Sequence, residues 1–401
     1  MSSLIAQHGP AKGQKIINGI QSNSISGVVF SQNDESLNSI VRHINDNEVY
    51  DKDNVFLDPQ FYYSTFSNEI LKKLGEISCF PTEVTRRDWR NKEKRILDYL
   101  DYHAESSDKI SNTLITPGFY IDNIDWRFDY SVDIYNYCVS KYSFSHYALS
   151  LLINSSFLNN KKNIQELLEE IEDTVDKRDY IYLIICHENT TEGNYEIMDI
   201  NSLGNIMSLI YQLQKMGFKF IVGYSFMNSI LYAMLGCDYI ASGWFNTLRK
   251  FQKDKFEITD TFGRRKKRYT SIPLLSNIMF DHLKIMFDTK IISVNDVISG
   301  TQFDDQFIND KDSLSFVDLE QEYWQSLNNV ILNLNELPNI KDKIDYVQGL
   351  IKHAKDCYQD VCLELESNGE QESQRRIKLN YKHLLIWEAS INLFKDNEMI
   401  L

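Results

Sequence analysis

The stretch FKFIVGYSFMNSILYAMLGCDYIAS, from Phe218 to Ser242, carries the clearest fold signal in the chain. The mainly apolar run Phe218–Tyr224 predicts a buried strand, Ser225–Leu235 predicts a helix, and Asp238–Ser242 predicts a second strand after a turn at Gly236. Neither strand alternates between apolar and polar residues, which is typical of parallel strands covered on both faces. The stretch therefore predicts one β–α–β unit of a parallel α/β fold.

The same unit recurs along most of the chain, with helical patterns between short apolar runs. The other predicted strands are Gly27–Ser31, Val55–Asp58, Thr113–Thr116, Tyr147–Asn154, Tyr180–Cys186 and Ser271–Ser276. Eight strands separated by helices predict a TIM-like (β/α)8 barrel. A doubly wound sheet is the alternative, but no glycine-rich dinucleotide motif opens the first unit, and this favours the barrel.

The pattern changes at about residue 292, where long helical segments replace the short strands. Phe316–Leu334, Ile340–Leu365 and Gln371–Phe394 are predicted helices, and the turn residues between them mark the breaks. We therefore predict a barrel over residues 1–291 and a helical appendage over residues 292–401. From residue 291 onward there are twenty acidic and ten basic residues, so these helices could engage a protein partner or self-associate.

Composition narrows the class of protein. The 401 residues carry a net charge of −15, which argues against general nucleic-acid binding, because phosphate contacts need clustered Lys and Arg. No apolar run has the length of a membrane span and no signal peptide is evident, so we expect a cytoplasmic protein without a membrane partner. The six cysteines lack metal-ligand spacing, and neither a metal nor another cofactor is predicted.

In a (β/α)8 barrel the reacting groups lie at the carboxyl ends of the strands. Asp58 ends a predicted strand and is followed by the aromatic residues Phe61 and Tyr62, a combination that could grip and protonate a flat heterocycle. His187 and Glu188 end another strand and could act as acid and base, although adjacent strand residues face opposite ways. The alternatives are a structural Asp-Pro turn for Asp58, a hydrogen-bonded structural histidine for His187 and a solvated loop charge for Glu188.

Further polar or aromatic residues follow other predicted strands and could contact a substrate. Asn33, Asp34 and Glu35 follow the first predicted strand. The predicted substrate-binding residues beyond Phe61 and Tyr62 are Asn154, Tyr224, Ser242 and Trp244. Each of them could instead cap a strand or start a helix.

A basic segment stands out on this acidic chain. Between Arg249 and Arg268 there are nine basic and three acidic residues, and the predicted nucleic-acid contacts are Arg249, Arg264, Arg265, Lys266, Lys267 and Arg268. If the last barrel strand is Ser271–Ser276, the loop before it lies over the mouth of the barrel. A second basic stretch, Thr85–Arg95, includes Trp89 as a possible stacking residue. Ordinary exposed loops explain such charge runs equally well.

Two segments resemble the tRNA-guanine transglycosylase family. LDPQFYYSTF (Leu57–Phe66) is similar to the family's tDSGGFQvfS motif, with Asp58 at the place of the aspartate used in base recognition and catalysis. Phe218–Arg249 is similar to the late strand–helix–strand segment of the family. The resemblance implies a (β/α)8 barrel that exchanges or excises a base through a covalent sugar–aspartate intermediate, and related members act on DNA.

The chain departs from this family at three points. Pro59 and Gln60 replace the two glycines after the aspartate, Ala241 aligns with the nucleophilic aspartate, and the cysteine-rich zinc motif is absent. The covalent exchange mechanism therefore does not carry over. Hydrolysis of a glycosidic bond with a single acid, either Asp58 or Glu188, is still chemically possible.

Three hypotheses follow. The chain could be a base-modifying or base-excising enzyme, a non-catalytic nucleic-acid-binding or scaffold barrel, or a small-molecule hydrolase or lyase acting on an anionic substrate. Asp58 and Glu188 lying close together in the barrel mouth would favour an enzyme. A mouth filled by aromatic side chains would favour the binding protein.

Overall fold

Eight parallel strands form a nearly closed barrel in the computed structural model, which describes residues 1–65, 73–176, 179–187, 198–252 and 266–400. The barrel strands are β1 (Ser3–Gln7), β2 (Val28–Ser31), β3 (Val55–Asp58), β4 (Thr113–Ile115), β6 (His146–Asn154), β7 (Tyr180–Cys186), β8 (Lys219–Gly223) and β9 (Tyr239–Ser242). Their order is β3-β2-β1-β9-β8-β7-β6-β4, and the short β5 (Tyr120–Ile121) adds to β6. The predicted TIM-like (β/α)8 barrel is confirmed.

Helices connect the strands and continue after them. They are α1 (Lys15–Gln21), α2 (Leu37–Asn45), α3 (Arg86–Arg90), α4 (Lys94–Asp108), α5 (Trp126–Lys141), α6 (Lys161–Thr174), α7 (Ile200–Lys215), α8 (Ser229–Leu235), α9 (Phe280–Asp288), α10 (Asp304–Asp310), α11 (Phe316–Glu336), α12 (Ile340–Ser367) and α13 (Gln371–Glu398). In the described part of the chain, none of these helices combines the length and apolar character needed to cross a membrane. The three long carboxyl-terminal helices occur where the sequence predicts them.

Two details of the strand prediction are wrong. The first barrel strand is β1, which the sequence analysis missed, and it pairs in parallel with both β2 and β9. Ser271–Ser276 is not a barrel strand, because it is the turn of an antiparallel hairpin formed by β10 (Arg268–Ser271) and β11 (Ser276–Met279). Pro273 lacks an N–H for a strand ladder and Leu275 has a φ of 47°, so this apolar segment turns instead of extending.

Buried apolar side chains form an inner and an outer core. Alternate residues such as Ile5, Val29, Phe56 and Ala241 belong to the cluster inside the barrel. Their sequence neighbours belong to the larger cluster between the strands and the surrounding helices. Because successive strand side chains point to opposite faces, most barrel strands contribute to both cores; β4 is an exception, since Leu114 and Ile115 both belong to the inner cluster. This is why the strands are apolar along their whole length.

The helix α11 covers β9, the strand that pairs with β1. The indole of Trp324 donates to the carbonyl oxygen of Ser242 at 2.9 Å, and the hydroxyls of Tyr323 and Ser242 lie 2.6 Å apart. The helix α13 is anchored by Trp387, whose indole donates to Asn228 at 2.9 Å. The carboxyl-terminal helices therefore pack on the barrel, while the boundary at residue 292 and the partner surface on these helices stay predictions.

We expect Trp324→Ala to lower the free energy of unfolding by about 3–5 kcal/mol, because it removes a fully buried indole and leaves a cavity between α11 and β9. Urea unfolding monitored by circular dichroism measures this loss. Leu332→Ala is the matched control, since Leu332 lies on the same helix and is 52% exposed. Equal losses in the two variants would contradict this role of Trp324.

Candidate active site at the carboxyl ends of the barrel strands

Asp58 is the acidic group in the middle of the barrel mouth. It is the last residue of β3, pairs in register with Ser31 of β2, and is only 1% exposed. Its carboxylate accepts hydrogen bonds from the Tyr62 hydroxyl at 3.0 Å and from the Tyr182 hydroxyl at 3.1 Å. Because Tyr182 belongs to β7, this contact crosses the interior of the barrel.

Burial dominates the ionisation of Asp58. It raises the pKa of the carboxyl to about 6, against the hydrogen bonds from the Gln60 amide and the two tyrosines, which lower it. A carboxyl group with a pKa near 6 is present in both protonation states close to neutral pH. It could therefore give and take a proton in one reaction cycle.

Amide side chains link the segments that follow the strands of the mouth. The backbone N–H of Tyr224 donates to the Gln7 side chain at 3.3 Å, and that of Asn33 donates to the Gln60 side chain at 3.0 Å. Gln7 ends β1 and Tyr224 directly follows β8, so this bond joins two strands that have only β9 between them. Gln60 and Tyr224 have φ values of 51° and 53°, which shows that the surrounding contacts hold both backbones in the left-handed region.

An aromatic cover lies over Asp58. Phe251 contacts Tyr62 edge-on, with ring centroids 5.2 Å apart, and Tyr224 in the same way at 5.3 Å. Tyr63 stacks obliquely against Tyr62 at 4.8 Å. We call Tyr62, Tyr63, Tyr224 and Phe251 the aromatic cover; each is at most 2% exposed. A ligand reaches Asp58 only if some of these rings move.

An open cavity of about 440 Å³ lies at the same end of the barrel, at the carboxyl ends of β1 and β2. The loop of residues 9–13 forms one wall, Asp34 and Glu35 form another, and Lys73 contributes from the segment after β3. Burial raises the pKa values of Tyr63 and Tyr224, and the nearby charge of Asp34 adds to this effect. The charge of Asp34, which lines the cavity, therefore acts on two rings of the aromatic cover.

A buried charge cluster builds one side of the cavity. His8 is 1% exposed; one ring nitrogen accepts from the Ser31 N–H at 3.4 Å and the other lies 3.2 Å from Glu35. Lys12 and Ser39 also donate to Glu35. Burial acts to raise the pKa of Glu35, but these hydrogen bonds outweigh it and lower the pKa far below its usual value. Glu35 is thus a permanent anion that fixes Lys12 at the cavity wall.

The second predicted catalytic pair is only partly described. The His187 backbone donates to the carbonyl oxygen of Phe251 at 3.0 Å, and its side chain is 6% exposed. Glu188 lies outside the described residues, so its proximity to Asp58 stays a prediction.

Two of the predicted substrate-binding residues make structural contacts. Phe61 stacks on Tyr99 of α4, with ring centroids 5.6 Å apart. Asn154 donates to Tyr120 and caps the turn after β6 through Ser156.

Three other predicted contacts face away from Asp58. The Ser242 hydroxyl is bonded to α11, and Trp244 donates to the Pro10 carbonyl oxygen at 3.2 Å. Arg249 is 4% exposed, and its guanidinium lies 3.3 Å from the ring centroid of Tyr323 while donating to the Gly243 and Trp244 carbonyl oxygens. In this arrangement Arg249 holds the chain after β9 against α11.

The basic loop lies after the last barrel strand, not before it. Lys266 is 3.5 Å from Asp281, Lys267 donates to the Asp312 carbonyl oxygen, and Arg268 donates to the Asn277 carbonyl oxygen. Arg264 and Arg265 lie outside the described residues. A role of this loop in phosphate binding therefore stays a prediction. Trp89 is 1% exposed under Lys92 and does not offer a face for stacking.

Sequence reasoning missed His8, Lys12, Gln7 and Tyr182. The first three lie in or directly after β1, which was not recognised as a strand. Tyr182 sits inside the apolar run of β7, and its partner depends on which face of that strand points inward. The polar residues of AQHGPAKG after a short apolar start were the available signal.

Comparisons of the chain with protein-family models, with curated proteins and with solved structures found no match. In the described ranges, no group of three or more His, Cys, Asp or Glu side chains is arranged to hold a metal ion. The chemistry of the mouth is therefore considered from its own side chains.

The raised pKa of Asp58 makes a prediction about stability. Below the usual pKa of 3.8, Asp58 is protonated in both the folded and the unfolded chain. Between pH 4 and 6 the carboxyl ionises in the unfolded chain but stays largely protonated in the folded one. The folded state therefore loses stability as the pH rises through this range. We expect the free energy of unfolding of the wild type, minus that of Asp58→Asn, to fall by about 2 kcal/mol between pH 4.5 and 7. Urea titrations over this range measure it. A pH-independent difference would contradict the raised pKa.

Proposed function

We propose that the chain is a (β/α)8 enzyme that releases a base from a nucleic acid or nucleotide by hydrolysing the glycosidic bond. The observation that carries the proposal is the position of Asp58, a carboxyl with a pKa of about 6 at a strand end in the middle of the barrel mouth. Enzymes of this architecture place their reacting groups at that position.

In the proposed reaction Asp58 donates its proton to a ring nitrogen of the base. The bond between the sugar carbon and the base breaks, its electrons remain on the base, and water adds to the sugar carbon. The proton released by water returns to the Asp58 carboxylate, which restores the acid. Tyr62 and Tyr182 stabilise the carboxylate form during the cycle, since both donate to the same oxygen atom.

The end of β9 supports hydrolysis over covalent exchange. Ala241 aligns with the nucleophilic aspartate of the resembling family, and its side chain packs in the inner core opposite Ile5. The next residue, Ser242, bonds to α11 on the outside. No carboxylate of β9 is therefore available to form a sugar–aspartate intermediate.

The cavity at the carboxyl ends of β1 and β2 offers two lysines to the anionic part of such a substrate. Lys12 and Lys73 line it together with the carboxylates of Asp34 and Glu35, and Lys12 is held in place through Glu35 and His8. A phosphate bound there would lie next to the aromatic rings that a base has to replace in order to reach Asp58. Flat aromatic side chains offer stacking contacts of the kind that a base makes.

The aromatic cover also favours a second candidate, a non-catalytic nucleic-acid-binding barrel. Both Asp58 oxygens accept hydrogen bonds and the residue is only 1% exposed. A buried carboxylate with a purely structural role has the same features. This candidate keeps the cavity as a binding site and assigns no chemistry to Asp58.

We expect Asp58→Asn to abolish base release, at least about 100-fold, because an amide cannot supply the proton. Release of free bases from DNA and RNA oligonucleotides, followed by mass spectrometry, measures the activity. Asp179→Asn is the matched control: Asp179 is a buried aspartate that accepts from Tyr135 at the opposite end of β7. Release by Asp58→Asn at the wild-type rate would exclude Asp58 as the acid. Absence of release by the wild type, with oligonucleotide binding intact, would favour the non-catalytic barrel.

Oligonucleotide binding tests the cavity separately. We expect the double variant Lys12→Met/Lys73→Met to weaken binding uniformly across sequences and to reduce the slope of log affinity against log salt by about one to two. Fluorescence anisotropy at several salt concentrations measures both quantities. The control is Lys266→Met/Lys267→Met in the basic loop. A larger effect in this control would move the phosphate contact from the cavity to that loop.

A further inference from the structure

A second cavity, of about 380 Å³, lies on the face of the barrel opposite to Asp58. It is bounded by the last turns of α7 and α8, which lead into the amino ends of β8 and β9, and by the first turn of α12. Because it lies at the amino ends of the strands, this cavity is separate from the mouth of the barrel and from the proposed reaction. Its volume falls within the range of small-molecule sites.

The charged residues that line this cavity are all basic. Lys215 reaches it from the last turn of α7 and Lys343 from the first turn of α12, and the described lining contains no acidic side chain. Asp342, the acidic residue of that turn of α12, is already hydrogen-bonded by the Asn339 amide at 2.8 Å. On a chain with a net charge of −15, two lysines facing one cavity without a lining carboxylate form a local positive site.

The two lysines are not equivalent. Lys215 lies at the carboxyl end of its helix, where the backbone carbonyls favour a cation, and its ammonium is 5.3 Å from the Tyr211 ring centroid. Lys343 lies at the amino end of the 28-residue α12, where the helix dipole disfavours a cation. Its side chain is half-buried, and burial lowers its pKa. An anion in the cavity would offset both of these costs.

The remaining walls are apolar or aromatic. Met234 and Leu235 of α8 are buried side chains that border the cavity, and Tyr211 offers a ring face next to Lys215. Gln214 adds an amide between the two sides. Such walls fit a ligand that has a flat or apolar group attached to its anionic end.

We propose that this cavity binds a small phosphorylated compound with an aromatic or apolar group, its phosphate between Lys215 and Lys343 and its apolar part against Met234 and Leu235. The site is non-catalytic and independent of the reaction at Asp58. Lysine ammonium groups bind phosphate through charge-assisted hydrogen bonds, and the amino end of α12 adds to the positive potential.

The test uses phenyl phosphate, inorganic phosphate and phenol as probes for calorimetric titration of the full chain. We expect phenyl phosphate to bind about fivefold more tightly than inorganic phosphate, because the ring buries apolar area, and phenol not to bind measurably. Lys343→Met and Lys215→Met should each weaken phenyl phosphate binding about tenfold, since each removes one charge-assisted contact.

A matched control makes the result specific. Lys341→Met changes an exposed lysine of the same helix turn, about 200° around the helix from Lys343. This variant should bind phenyl phosphate like the wild type. The proposal is overturned if Lys341→Met weakens binding as much as Lys343→Met, if Lys343→Met and Lys215→Met bind like the wild type, if phenol binds as well as phenyl phosphate, or if no probe binds.

Discussion

The parallel pairing of β1 with β9 joins the first three barrel strands to the other five, and the rest of the molecule depends on it. Leu4 pairs with Ile240 and Ala6 with Ser242, so the first and last barrel strands share one ladder. This pairing places Gln7 beside the backbone of Tyr224 and brings the loop after β1 against Trp244. It also creates the outer surface on which Trp324 and Tyr323 of α11 pack. Without this ladder, the sheet would divide into two parts and the carboxyl ends of the strands would not converge.

The sequence predicts the barrel because its central strands are buried on both faces and are therefore apolar along their length. The run Tyr180–Cys186 is an example that needs no tertiary information. The strand β1 differs, since Ser3 and Gln7 flank only three apolar residues and its identity depends on a partner more than 230 positions away. The apolar segment Ile272–Leu275 misleads for the opposite reason: it is buried, but against helices and within a tight turn. Local hydrophobicity reports burial and not strand pairing.

The same limit applies to the site. Asp58 was predicted because it ends an apolar strand, where (β/α)8 enzymes carry their reacting groups, and because aromatic residues follow it. Its partner Tyr182 could not be predicted, because the contact depends on the inward face of β7 and on the space left by Gly223, where an added Cβ would lie 3.0 Å from the tyrosine hydroxyl. The cluster of His8, Lys12 and Glu35 required both the missing strand and its register with β2. The sequence therefore allowed us to predict polar residues at the ends of recognised strands. It did not allow us to predict contacts between side chains of different strands.

A perturbed pKa by itself does not mark a reacting group in this protein. Glu322 of α11 is fully buried, and burial raises its pKa to about 8, which is higher than that of Asp58. Yet its carboxylate accepts from Ser326 and from the Thr270 backbone beneath the hairpin, where no strand of the barrel ends. Burial explains the ionisation of both groups, so location has to distinguish them. Asp58 lies at a strand end and is hydrogen-bonded across the barrel by Tyr182, whereas Glu322 joins α11 to the hairpin. Position in the fold, more than the size of a pKa shift, is therefore the ground on which we propose a chemical role for Asp58.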